Sequence, residues 1–204
     1  MREFQKLDQF RVPQGFRGRA AIVVVLWQFV QSTLFAFSPQ PFFAWRRFLL
    51  RVFGAKIGRK VLLRPTVRVT YPWKTQIGDF SWIGDHVELY SLDRISIGSH
   101  SVISQRSYLC TGSHNMEDLA FSYITAPITV GDQVWIASDV FVAPGVKVGR
   151  GAVVGARSTV LKDVPPEVVA IGEPARVVRK RLEFGEDKSC NALSEQSIPT
   201  NPLA

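Results

Sequence analysis

Two cysteines in 204 residues, Cys110 and Cys190, offer neither a disulfide framework nor a CxxC metal-ligand pair. Histidine is almost as scarce: His86, His100 and His114 are the full set, and no two stand at the close spacing a zinc site uses. No GxGxxG or P-loop sequence occurs, so a phosphorylated ligand would have to be held by backbone amides and isolated cations. Acidic residues are nearly missing from the first third. Residues 1–74 hold 14 Lys and Arg against 2 Asp and Glu, whereas residues 75–204 hold 11 against 15, so the N-terminal part carries the whole net charge of +8. That asymmetry points to an anionic surface beside this end, either nucleic acid or phospholipid.

Charge is then absent altogether from Ala20 to Phe37, eighteen residues reading AAIVVVLWQFVQSTLFAF, just long enough for a membrane span. Gln28, Gln31 and Ser32 fall at i, i+3, i+4 spacing and form a polar stripe, which suits a helix lying in an interface or packing on protein. After the SPQP break, FFAWRRFLLRVFG places Arg47 and Arg51 one turn apart, with Phe43, Leu50 and Phe53 as an apolar side. Residues 1–55 therefore read as a basic helical segment. Membrane contact through residues 15–53, a true span, and simple capping of the next domain all fit it. The phospholipid reading displaces nucleic acid. The length of the apolar run and the lack of a following A-x-A site speak against a cleaved signal peptide.

What the chain has in plenty is a six-residue period. Val130, Ile136, Val142, Val148, Val154 and Val160 are aliphatic without a gap, and the same frame holds in Ile57, Leu63, Val69, then Ile77, Ile83, Leu89, then Ile97, Ile103, Leu109. Between these groups the register slips by two residues. The residue four places after each aliphatic should point inward at a tight corner and be small or β-branched. Thirteen of fifteen hexads have Ser, Ala or Val there, with Trp73 and Asp93 as exceptions. If aliphatics make up roughly a quarter of residues, six in register arise by chance about once in several thousand trials, so the period is real. Six matches no helix, and the β-branched content argues for strands. Three hexads close one triangular coil, and the five coils, 57–74, 77–94, 97–114, 130–147 and 148–165, stack to a prism roughly 24 Å long at about 4.8 Å per strand.

The resemblance carried by these residues is specific. The repeat, with WRRFLLRVFGAKIG, YPWKTQIGDFSWIGDHVELYSLDRISIG, YLCTGSH, PITVGDQVWIASDVFVAPGV, VVGARSTVLKDVP and IGEPARVV, resembles the hexapeptide-repeat sugar O-acetyltransferases, in particular the colanic acid biosynthesis acetyltransferases, over most of residues 15–180. It implies an all-β, left-handed parallel β-helix over residues 56–181 behind N-terminal amphipathic helices; residues 182–204 lack the hexad frame and read as a disordered tail. It also implies acetyl-CoA as donor, a sugar or lipid-linked saccharide as acceptor, and a homotrimer with the active site between subunits; the histidine spacing adds the expectation of no metal, and the basic, aromatic N-terminal helices that of a cytoplasmic place at the inner face of the membrane.

Residues 115–129 break the frame and are expected to leave the prism as a loop, with His114 at its base. An O-acyl transfer needs a base to take the acceptor proton, which histidine suits near neutral pH. In the family this sequence resembles, the histidine of the TGSH segment has that role. His86 and His100 read as ordinary corner residues. Direct stacking of coil 97–114 on coil 77–94 would put Ser113 over Asp93 and His114 over Arg94, making Asp93 a carboxylate able to orient the imidazole. Glu117 and Asp118 compete for that role, and a plain ion pair with Arg94 or Arg106 is the bland reading of Asp93. The resemblance further implies that Ser138, Ala156, Lys162, Arg176 and Arg179 line the cofactor groove, and Trp135 could wall it. Leu161 stands where many relatives have a polar residue. Two other functions stay open: a zinc carbonic anhydrase on the same prism, and a non-catalytic assembly module.

Overall fold

In the computed structural model, which describes residues 3–182, the three aliphatic ladders become the three inner edges of a parallel β-helix. Ile57, Ile77, Ile97, Val130 and Val148 stack on the first face. Leu63, Ile83, Ile103, Ile136, Val154 and Ala170 stack on the second, and Val69, Leu89, Leu109, Val142 and Val160 on the third. Burial of these ladders, Ile57 being the most exposed at 8%, is the main source of cohesion. Five coils are complete. A sixth begins with Val164, bridged to Val148, and with Val168–Gly172 on the second face, which then turns antiparallel into Ala175–Lys180. The tail expected to be disordered lies, beyond Leu182, outside the described residues.

Serine is favoured at the inner corners because its hydroxyl is satisfied there. Ser81, Ser101 and Ser107 are fully buried, and each donates to a carbonyl of the next coil, Gly98, Gly131 and Ala137, at 2.7 to 2.8 Å. The stacking is close enough to demand glycine at Gly98 and Gly149, where a Cβ would sit 2.6 Å from the Asp132 nitrogen and 2.4 Å from the Pro166 nitrogen.

The frame slips all fall at one corner, between the third and first faces, in the first three coils. There Ser91 and Thr111, two residues after Leu89 and Leu109, fill the buried corner place expected four residues on. Trp73 and Asp93 break the small-residue rule because they lie in these enlarged corners. At the third coil the excursion starts earlier than expected. Gly112–His114 leaves the prism and pairs antiparallel with Tyr123–Thr125, and the Ala126 amide returns to the Thr111 carbonyl at 3.0 Å. The loop is thus a hairpin over residues 112–125 instead of 115–129.

The N-terminal helices, α1 (Ala21–Val30, continued as a π turn over Gln31–Phe35) and α2 (Phe43–Val52), close the open end of the first coil. A sheet edge leaves backbone groups unpaired, and side chains take them up here. Arg51 donates to the Ile57 and Gly58 carbonyls, Arg47 to Val61, Arg46 to Leu63 and the Trp27 indole to Val69, while the Gln31 side-chain oxygen accepts from the Val69 amide. Arg46 is fully buried with no carboxylate partner among the described residues, held also by Ser38, Pro39 and Gln40. Burial, with the nearby charge of Arg64, lowers its pKa from the usual guanidinium value. The expected apolar side of α2 does pack inward, with Leu50 fully buried and Phe53 against the core, but the arginine side chains reach the prism as well, and a second apolar stripe of Trp45, Phe48 and Val52 faces outward.

Candidate active site

His114 ends the first strand of the hairpin, opposite Tyr123. Its Nδ1 lies 2.7 Å from the Phe121 carbonyl oxygen. A carbonyl only accepts, so Nδ1 carries the proton and the lone pair stands on Nε2. The ring is fixed by stacking on Phe121, with centroids 4.2 Å apart and planes 8° from parallel, and by Tyr123 at 4.7 Å and Phe10 at 5.8 Å. Phe121, at φ 51°, supplies both the carbonyl and the stacking face. The hairpin is in turn walled by the N-terminal segment: the Lys6 amide donates to the Leu119 carbonyl at 2.6 Å, and Phe16 stacks on Tyr123 at 4.7 Å. Phe10, Phe16, Phe121 and Tyr123 went unnoticed in the sequence, because no periodicity links residues 10–16 to a loop a hundred positions on.

Asp93 does not orient His114. The chain leaves the third coil at Gly112 and rejoins the prism at Ile128, which pairs with Ile95 and donates its amide to the Arg94 carbonyl at 2.9 Å, so the expected stacking of His114 over Arg94 does not form. Asp93 closes its own corner: Oδ1 accepts from the Arg94 amide at 2.6 Å, and its amide donates to the Thr111 hydroxyl at 2.9 Å. The neighbouring charge is Lys74, whose pKa is lowered by burial and partly restored by Asp93. Asp118 serves the loop, accepting from the Ala120 amide and the Ser122 hydroxyl, and these two donors hold its carboxyl below the usual range. The Glu117 amide donates to the Asn115 side chain.

Of the residues expected to line a cofactor groove, Trp135, Ser138, Ala156, Arg176 and Arg179 lie on or beside the second face, whereas Lys162 stands on His114's corner. Ser138 and Ala156 stack at the second-to-third corner of coils four and five, where the Arg157 amide donates to the Ser138 carbonyl at 2.9 Å. Trp135, half-exposed on the second face, donates through its indole to the Ser104 hydroxyl at 3.0 Å. Arg176 and Arg179 lie on the last strand. Three residues apart, they would face opposite ways, but a bulge between the pairs Val169–Arg179 and Ala170–Val177 brings both to the side of Val169 and Ile171. Lys162 is exposed beside Leu161 at the third-to-first corner, two coils beyond His114. Within one chain, then, His114 and the Ser138–Ala156 corner occupy opposite edges of the third face.

Residues 127–162 match the family described as bacterial transferase hexapeptide (six repeats). The Escherichia coli (strain K12) protein named as a colanic acid biosynthesis acetyltransferase, WcaF, is 58% identical over 179 residues, covering 88% of this chain and 98% of that one. The chain belongs to the hexapeptide-repeat acetyltransferases. As a member of that family it is an acyltransferase built on a left-handed parallel β-helix. Galactoside O-acetyltransferase of Escherichia coli (strain K12) is 33% identical over 143 residues, 66% of this chain and 68% of that one. A hexapeptide-repeat acetyltransferase of Vibrio cholerae O1 biovar eltor, solved with acetyl coenzyme A, superposes with a TM-score of 0.76 at 27% identity, covering 90% of this chain and all of that one. The zinc reading meets a geometric obstacle in this acetyltransferase chain: His86, His100 and His114 sit at three different corners, the first two with φ of 57° and 55° at tight turns. Among the described residues, no three His, Cys, Asp or Glu side chains gather as metal ligands.

Proposed function

We propose that the protein transfers an acetyl group from acetyl-CoA to a sugar hydroxyl during assembly of a surface polysaccharide. The observation that carries this is the fixed tautomer of His114, whose Nε2 lone pair is set free by the Nδ1 contact to Phe121. Nε2 takes the proton as the acceptor oxygen attacks the thioester carbonyl. Collapse of the tetrahedral intermediate expels the CoA sulfur, which takes the proton back, so that the products are the O-acetyl sugar and free CoA. The Phe121 carbonyl stabilises the transient imidazolium, the role a carboxylate has in many acid–base pairs.

The donor lies along the Ser138–Ala156 corner, where small side chains allow close approach of the pantetheine arm. Arg176 and Arg179 meet its phosphates, Lys162 reaches them from the neighbouring copy because it shares His114's corner, and Trp135 walls the groove. Because His114 stands at the opposite edge of the third face, the reading requires a neighbouring copy. A homotrimer with head-to-tail contacts sets each His114 against the next subunit's groove. The acceptor is a saccharide carried on lipid at the inner face of the cytoplasmic membrane. The test follows thiol release from acetyl-CoA with nucleotide sugars, oligosaccharides and lipid-linked saccharides. Release that needs both an acceptor and His114 is expected; release unchanged in His114→Ala would contradict the reading.

A further inference from the structure

The helical cap presents an apolar surface to the outside. On α1, Ile22, Val25, Leu26 and Phe29 follow i, i+3, i+4, i+7 spacing and are 51 to 73% exposed. On α2, Trp45, Phe48 and Val52 form a second such stripe. Between the helices an open groove of about 880 Å³ is lined by Leu34, Phe37, Phe42, Trp45 and Phe48, with Phe37 85% exposed. Polar groups on this surface are turned back onto the cap's own backbone: the Ser32 and Thr33 hydroxyls donate to the Phe29 carbonyl, and the Trp45 indole donates to that of Leu34. The cationic groups of α2 are likewise spent on the first coil. Apart from exposed Gln28 at the edge of the α1 stripe, what faces out is mainly apolar, which suits hydrocarbon better than a polar protein surface.

We infer that this cap docks the protein end-on into the surface of an anionic phospholipid bilayer. Charge supports that occupant. Exposed Arg17 and Arg19 precede α1, and Lys56 follows α2, so cations sit at the margin of the apolar surface, where headgroup phosphates would meet them. Neither helix is long and apolar enough to cross a membrane, so the contact is with one leaflet. Because the helices lie across the base of the prism, its axis stands along the membrane normal. Two strand spacings plus one helix layer put the His114 corner roughly 20 Å above the apolar plane. This deepens the proposed function, on which it rests only for its purpose: a saccharide a few units long on a lipid carrier reaches that height.

The experiment is flotation of the full chain with phosphatidylglycerol–phosphatidylethanolamine vesicles, and with phosphatidylcholine vesicles, at low and high salt. The native chain should float with the anionic vesicles, less at high salt. Phe37→Asp with Phe48→Asp should lower the partition coefficient by about tenfold or more, and Arg17→Glu with Arg19→Glu should remove most of the salt dependence. Equal flotation of native and Phe37→Asp/Phe48→Asp chains would overturn the inference, as would no flotation of the native chain. So would a larger assembly that the paired Asp substitutions break, since a second copy would then cover the surface. Thiol release with a soluble acceptor should be unchanged in these variants, so loss of docking and failure of the proposed reaction are read separately.

Discussion

The fourth and fifth coils and the His114 hairpin are built on opposite plans. The coils carry no insertion at any corner, and their aliphatics and corner residues repeat in register with burial near complete. The hairpin has three paired residues on each side and stays attached through the Thr111–Ala126 closure, aromatic contacts and the loop bonds of Asp118. Rigidity in the prism lets the hairpin depart from the repeat, and the departure places an imidazole where no coil residue could stand. Substitutions in the two regions should therefore separate stability from catalysis.

The largest effect expected is on the hairpin side. His114→Ala should lower kcat by about 10²–10⁴-fold while the cooperative melting of the prism shifts little, since only hairpin contacts are lost, as thiol release and calorimetry would show. In the prism, Ile103→Ala removes a fully buried side chain from the middle coil and should cost about 2–5 kcal/mol in denaturant unfolding, while the surviving folded fraction keeps its kcat. A smaller effect sharpens the comparison by pH. The Asp118 carboxyl is held below its ordinary value of 3.8, so its ionised form favours the folded hairpin. That contribution is present above the unfolded value and is lost as pH falls through the lower folded one. Protection of the Ala120 and Ser122 amides against hydrogen exchange, relative to their intrinsic exchange rates, should fall on that acid side in the native chain, and Asp118→Ala should show low protection throughout. The smallest effect belongs to Asp93→Asn, whose kcat should stay within about threefold of native; a loss comparable to that of His114→Ala would restore the carboxylate partner read from the sequence.

The ladders were legible because a six-residue period survives any choice of side chain that fills the same inner edge. The coil count, the faces and the positions of Ile57 to Val160 followed from it. The hairpin's start was not, since Ser113 satisfies the small-residue rule by accident, while the corner it seemed to fill belongs to Thr111. Asp93 was misread for the same reason: a two-residue slip moves every later stacking partner. The cap was legible only in part. Apolar spacing shows that a helix has two sides, but Arg46, Arg47 and Arg51 turn inward because the first coil offers unpaired carbonyls, a demand made by another part of the chain. His114 and the grouping of Ser138 with Ala156 came from likeness to a family, and the Phe121 carbonyl, a backbone group, left no trace in side-chain chemistry.

The central claim is that the prism presents His114 with its proton on Nδ1 and its lone pair on Nε2. Nitrogen-15 resonances of the imidazole, assigned by their loss in His114→Ala, test it most directly. The account predicts a protonated, pyrrole-type Nδ1 and a pyridine-type Nε2 for the neutral ring; a neutral ring with its proton on Nε2 would contradict it.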